Sequence, residues 1–200
     1  MGKTRAFRDR IGIEGEEPVV ASRVVLTPGA WGATLLPKLG LTLPLSAHRQ
    51  QTLYIGGVSD EFSAEHFPVF LNLDHDFYGF PLDEQGLLKV SIHSPGTLVD
   101  PDTKTLPDAS YAELLMSLVR TYIPLAAEGE VRMSRVCMYA MTPDEDFIID
   151  RMPGHENVTF AVGFSGHGFK FGPVIGELVA SLALGEEPEF SMQPFALSRF

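Results

Sequence analysis

Two hundred residues with 44% hydrophobic content can bury a sizeable core, and a formal net charge of −11 sets the chain against a phosphate backbone or an anionic membrane surface, either of which would repel it at neutral pH. The polar start from Met1 to Glu17, and apolar runs well short of the ~20 residues of a bilayer span, point away from a secretory signal or membrane anchor and leave the cytoplasm as the expected compartment. A single cysteine, Cys137, excludes an intrachain disulfide and a multi-thiolate metal centre, so small molecules are the expected ligands and nucleic acid is not.

In chain order, residues 1–21 carry charges without clear periodicity. Ser22 to Thr27 then reads as a short buried strand running into the turn Pro28-Gly29-Ala30-Trp31-Gly32. A short helix or turn is expected over Ala33 to Leu39, ended by Gly40 and followed by the alternating Leu41 to Leu45. Short strands follow at Gln51 to Ile55, Val69 to Leu73, Phe77 to Pro81 and Leu87 to His93, spaced as an antiparallel sheet would be. Apolar residues at helical spacing, Leu114, Leu115, Leu118 and Val119, predict an amphipathic helix over Asp108 to Tyr122, with Ser110 as its N-cap and Pro124 just beyond its end. Strands are expected again at Val131 to Met141, Phe147 to Asp150 and Val158 to Gly163. A last helix runs from about Pro173 to Leu184, with Pro in its first turn and Gly185 past its end.

The segment most suggestive of chemistry is Gly163-Phe-Ser-Gly-His-Gly-Phe-Lys-Phe-Gly172, where four glycines in ten positions join a strand to a helix. Such glycines let backbone approach a ligand closely, and the helix that follows points free N–H groups and partial positive charge toward it. By itself a loop of this kind is as often a tight connection. His167 and Lys170 beside the glycines strengthen the binding interpretation, since a lysine near a helix N-terminus is placed to hold a carboxylate. The remaining histidines, His48, His66, His75 and His155, show no ligand-like spacing with carboxylates. Asp144-Glu145-Asp146 reads as a solvated acidic turn, and no metal site is expected.

The stretch Cys137-Met-Tyr-Ala-Met-Thr-Pro-Asp-Glu-Asp-Phe-Ile-Ile-Asp150, followed by Gly163 to Phe171, resembles the C-terminal signature of the FAD-dependent amine oxidases of the monomeric sarcosine oxidase and N-methyltryptophan oxidase family. The likeness extends back through Thr27 to Trp31, Pro44 to Gln50, Tyr78-Gly-Phe-Pro81 and Leu88-Lys-Val-Ser-Ile-His93, so it covers about Ser22 to Leu184. The resemblance implies FAD as cofactor, held covalently through Cys137 as a thioether. It further implies that Lys89, eleven positions after Tyr78 and four before His93, promotes the reaction with oxygen while Tyr78 and His93 line the amine site. Lys170 matches the lysine that contacts the substrate carboxylate. Gly166, His167, Gly168 and Lys170 match the loop at the flavin's pyrimidine end, and Gly29, Ala30 and Trp31 match a turn approaching from the other side, with Pro28 standing where a small residue is expected.

A G-x-G-x-x-G turn between strand and helix does not occur; Gly2, Gly12 and Gly15 do not form one. The fold class implied is therefore α+β: an antiparallel or mixed sheet substrate domain at residues 41–131, with an incomplete FAD-binding domain that lacks the N-terminal dinucleotide-binding βαβ unit. Residues 1–40 are a remnant of that second domain, and residues 132–200 are its C-terminal part, carrying the attachment site and glycine loop. The implied activity is oxidation of the C–N bond of a secondary N-methyl amino acid by O2, giving imine or aldehyde products and hydrogen peroxide. The alternative is a truncated, non-catalytic remnant or partner subunit that does not hold FAD alone. An incomplete cofactor-binding layer exposes apolar surface, so association with a complementing chain or with another copy is expected.

Overall fold

The computed structural model describes residues 4–7, 10–13 and 19–200. In chain order the elements are β1 (Thr4–Phe7), β2 (Arg10–Ile13), β3 (Val19–Val20), β4 (Val24–Leu26), the short helix α1 (Gly32–Leu35), β5 (Ser46–Gly56), β6 (Phe70–Asn72), β7 (Phe77–Phe80), β8 (Leu88–Ile92) and β9 (Thr97–Leu98). Then come α2 (Ala109–Tyr122), β10 (Glu130–Met141), β11 (Ile148–Met152), β12 (His155–Val162) and α3 (Gly172–Leu184). The chain divides into two compact units, one of Met1–His48 with Tyr139–Phe200 and the other of Arg49–Met138. No helix among the described residues is long and apolar enough to cross a membrane.

The unit Arg49–Met138 is built on the sheet ordered β10-β5-β8-β7-β6, with β9 also paired to β5. The β5–β8, β8–β7 and β7–β6 pairings are antiparallel, as the close spacing of the predicted strands requires. Alternation sorts the side chains. Leu53 and Ile55 of β5, Leu88 and Val90 of β8, and Phe77 of β7 are all fully buried in one cluster with Leu115, Leu118 and Val119 of α2. Leu114, read as part of the apolar stripe, is 47% exposed. At 100° per residue it stands roughly 80° from the centre of the 111–115–118–119–122 face and falls outside the contact.

The N-terminus of α2 corrects a second expectation, because its cap is Asp108 rather than Ser110. The Asp108 carboxylate accepts from the backbone N–H groups of Ser110 and Tyr111, which satisfies two of the helix's orphan donors, and Ser110 Oγ donates to the same oxygen at 2.7 Å. These bonds hold the Asp108 carboxyl below its usual pKa, the Ser110 hydroxyl contributing most. Asp108 is in turn fixed to β5, since its N–H donates to Gln51 Oε1 at 2.7 Å and its C=O accepts from Gln51 Nε2 at 2.9 Å.

In the other unit the sheet order is β11-β12-β4, with β11–β12 antiparallel and β12–β4 parallel. Its central strand is covered on both sides, which explains the nearly unbroken apolar run from Val158 to Val162. Val158, Phe160 and Val162 join Leu26, Leu36, Leu41 and Leu43 on one face, whereas Ala161 joins Phe147, Ile149 and Val179 of α3 on the other. Residues 41–45, whose alternation suggests a strand, show that alternation as burial of Leu41 and Leu43 with Thr42 and Pro44 exposed, but form no ladder. Residues 1–21, without visible periodicity, contain the antiparallel hairpin β1–β2 and its neighbour β3; Gly2 and Gly15 lie outside the described residues.

Replacing Gln51 by Leu leaves the Asp108 N–H without its partner and the Asp108 C=O with only the Ala112 N–H, and a group so orphaned costs about 1–3 kcal/mol. Chemical unfolding of the variant is expected to show a loss of about 1–3 kcal/mol. An unchanged midpoint would show that the helix start is held by other contacts.

Candidate functional site

With the α2-facing side of its sheet committed to the core, the unit Arg49–Met138 presents the candidate side chains on the opposite side. Pairing brings Tyr54 of β5, Lys89 of β8 and Phe80 of β7 into one row, because Tyr54 faces Lys89 and Phe80 faces Lys89 in register. Lys89 Nζ lies 4.7 Å from the centre of the Phe80 ring, and the Arg135 guanidinium lies 5.4 Å from that of Tyr54. Two cations and two aromatic rings thus alternate across four strands, each cation set against the electron-rich face of a ring. Two residues along the strand from Phe80, Tyr78 packs edge-on against it at 5.9 Å and against His93 at 6.4 Å. The predicted trio of Tyr78, Lys89 and His93 is therefore drawn together, all three half-buried.

Cys137 lies on β10, the strand next to β5, two positions after Arg135. Its thiol is exposed. Surrounding protein nonetheless pushes the thiol pKa up by desolvation, and the Lys89 charge acts in the opposite direction. Tyr111, at the start of α2, has its phenol pushed up mainly by burial, with Tyr78 and Cys137 adding to the rise and Arg49 opposing it. Tyr111 and Arg49 went unnoticed in the sequence. Helical spacing places Tyr111 four residues before Leu115, and that signal was available; Arg49 at the head of a strand gives none.

The unit containing residues 139–200 holds the glycine loop. After β12 the backbone takes positive φ at Gly163 (+70°), Ser165 (+45°) and Gly166 (+79°). A Cβ at Gly166 would sit 2.3 Å from the Tyr139 ring, so glycine is required there by contact as well as by conformation. Ser165, which is 1% exposed, anchors the loop: its N–H donates to Ala140 O at 2.9 Å and its Oγ to Gly163 O at 3.1 Å. Ser165 and Tyr139 are the residues that sequence reading missed here, the first hidden among glycines and the second carrying no motif of its own.

His167 packs at a tilt against Phe147, ring centres 5.0 Å apart, and Lys170 is exposed with Nζ 5.2 Å from the Phe171 ring; Phe169 projects fully into solvent. The lysine read as placed to hold a carboxylate beside a helix start is therefore solvated. Helix α3 begins at Gly172 without any side-chain cap, the Gly172 N–H donating to Phe169 O of the preceding turn, and ends on the left-handed Gly185 as expected. Gly29 and Ala30 open a single helical turn, Gly29–Trp31, closed by Trp31 N–H donating to Pro28 O at 3.1 Å, with Ala30 buried and Trp31 half-buried. The acidic turn at 144–146 is not merely solvated. Asp144 forms an ion pair with Arg199, whose guanidinium also donates to the carbonyls of Asp146 and Phe147 and holds the Asp144 carboxyl below its usual pKa.

Residues 3–182 match the model of the family described as FAD dependent oxidoreductase. The chain is 39% identical over 185 residues to monomeric sarcosine oxidase of Bacillus sp. (strain NS-129), the alignment covering 90% of this chain and 48% of that protein. It is 37% identical over 187 residues to N-methyl-L-tryptophan oxidase of Salmonella typhi, again with 90% and 48% covered. The chain thus spans about half the length of the curated relatives it matches. Among solved structures, iminodiacetate oxidase from Chelativorans sp. BNC1 superposes with a TM-score of 0.81 at 21% identity, over 98% of this chain and 52% of that one, a likeness of fold.

Because pairing with Arg199 lowers the Asp144 pKa in the folded state, its contribution to stability is complete above the unfolded carboxyl value, near 3.9, and is lost as pH falls through the folded one. Unfolding measured from pH 7 down to pH 2 is expected to show a shallower acid decline for Asp144→Asn than for the parent. Identical acid limbs would remove this role.

Proposed function

The chain belongs to the FAD-dependent oxidoreductase family, and from that premise we propose that it acts as an amine oxidase of the sarcosine oxidase kind. A secondary N-methyl amino acid loses two electrons and two protons across its C–N bond, water releases an aldehyde and the primary amine from the imine, and O2 takes up the electrons and protons as hydrogen peroxide. FAD, when bound, carries the electron pair from amine to oxygen.

The residues present suit that group. An exposed sulfur on β10 is open to covalent attachment, the turn at Gly163–Gly168 takes a backbone course that side chains would obstruct, and the uncapped start of α3 favours an electron-rich edge. In this reading Cys137 holds the flavin covalently, while Gly29, Ala30 and Trp31 on one segment and Gly166, His167, Gly168 and Lys170 on another hold it without bonds. Lys170 pairs with the substrate carboxylate. Lys89 places a positive charge where oxygen is first reduced to an anion, and Tyr78 and His93 bound the amine site. Partners in this reading are the small amine and O2, with a complementing chain or another copy of this one as the macromolecular partner.

The observation that carries the reading is the open side of the sheet, where Lys89 stands with Tyr78 and His93 and its charge acts on the exposed Cys137 thiol. Incubated with FAD and precipitated with acid, the protein is expected to retain flavin absorbance in the pellet, and Cys137→Ser to lose it. A colourless pellet from the parent would instead support a non-catalytic subunit. In stopped flow, Lys89→Met is expected to slow reoxidation by O2 about 100-fold while leaving reduction by the amine nearly unchanged. Equal slowing of both steps would remove the oxygen role.

A further inference from the structure

The guanidinium of Arg199 has all five of its N–H donors committed. Nε and one terminal nitrogen grip the Asp144 carboxylate; that nitrogen also donates to Asp146 O at 3.1 Å, and the other donates to Phe147 O at 3.1 Å and to Pro194 O. With its side chain 21% exposed and its geometry bidentate, this is not the solvated surface pair that contributes little. A lysine, with three donors on one nitrogen, could not hold the same set. The segment that carries Arg199 is anchored a second time, by the Leu197 N–H donating to Asp150 Oδ2 at 2.8 Å.

Two routes lead from the 144–147 turn to the glycine loop. Thr142 Oγ1 donates to Asp146 O at 2.9 Å, the carbonyl that Arg199 also holds, while the Thr142 N–H donates to Ser165 Oγ at 3.4 Å. Phe147 supplies the other route. Its carbonyl is bound by Arg199, its ring lies nearly parallel to that of Phe195 at 6.2 Å, and the same buried ring meets Phe164 and His167 of the loop, each at 5.0 Å. The loop needs such support, because Ser165 sits at a φ of +45°, a conformation that a residue with a Cβ keeps only where its surroundings hold it there.

We infer that Arg199 is a positioning residue for the glycine loop: it fixes the 144–147 turn, and that turn, through Phe147 and Thr142, sets where His167 and Ser165 stand. The purpose of the arrangement rests on the reading of Gly166, His167 and Gly168 as contacts of the flavin. The positioning itself belongs to the chain without flavin, so the two claims fail separately.

The test uses the full chain free of FAD. In NMR spectra at pH about 8.5, where an ordinary imidazole is neutral, the His167 ring protons are expected to be displaced by the Phe147 ring current in the parent and to return to free-imidazole positions in Arg199→Met. Amide exchange at Ser165 and His167 is expected to quicken at least about tenfold in that variant, while the amides of the β4–β12 ladder in the same unit keep the parent's rates. Phe195→Ala, which removes the parallel ring and leaves the guanidinium in place, is expected to move the His167 protons in the same direction. A lowered thermal midpoint with unmoved His167 signals, or exchange that quickens equally in loop and ladder, assigns Arg199 to general stability alone and overturns the proposal. Should Arg199→Met fail to fold, Phe195→Ala decides by the same two readouts.

Discussion

The pleat of the β5, β8 and β7 strands is the constraint from which most else follows. Alternate residues must leave opposite sides of a strand, so committing Leu53, Ile55, Leu88, Val90 and Phe77 to α2 forces Tyr54, Lys89, Tyr78 and Phe80 onto the other side. A one-residue slip would bury a lysine and expose a core leucine. The register that satisfies the hydrophobic core is therefore the register that assembles the cations and aromatic rings. It needs no separate device.

The glycine loop solves a different problem. A chain leaving β12 must turn sharply before α3 can start, and it does so through left-handed backbone at Gly163 and Gly166 and, less comfortably, at Ser165. Ser165 tolerates this because its hydroxyl and its N–H are both used internally, against Gly163 and Ala140. Tyr139 packs where a Cβ of Gly166 would lie, so the strand carrying the cysteine motif and the loop are fitted to each other at one ring. That fit accounts for two distant sequence motifs that make sense only together.

How much of this could be read from sequence depends on whether the signal was local. Strands β7 and β8, helix α2 and helix α3 declared themselves because their periodicity and punctuation are contained within each segment. The cap of α2 did not, because Asp108 and Ser110 are both good capping residues and the choice between them depends on where the first helical residue falls, which Gln51 on another strand helps to fix. Lys89, Tyr78 and His93 were legible as a motif, whereas the partnership of Lys89 with Phe80 and of Arg135 with Tyr54 required the strand order. The role of Arg199 was invisible, since its partners at 144–147 lie some fifty residues earlier.

A lone cysteine that is exposed would ordinarily be a liability, open to oxidation and exchange. Here protein packed around the sulfur raises the pKa of Cys137, so at neutral pH the group is overwhelmingly thiol, and the thiol is a poor nucleophile. Lys89 opposes that rise without reversing it, since desolvation is the larger influence. The sulfur is thereby kept accessible while its protonation is set mainly by the protein packed around it, with the Lys89 charge as the opposing influence. A neighbouring charge on the same sheet, set by register and held against Phe80, thus acts on the sulfur against the effect of burial. Removing the lysine and removing the thiol are for that reason not independent changes, and their effects should not be expected to add.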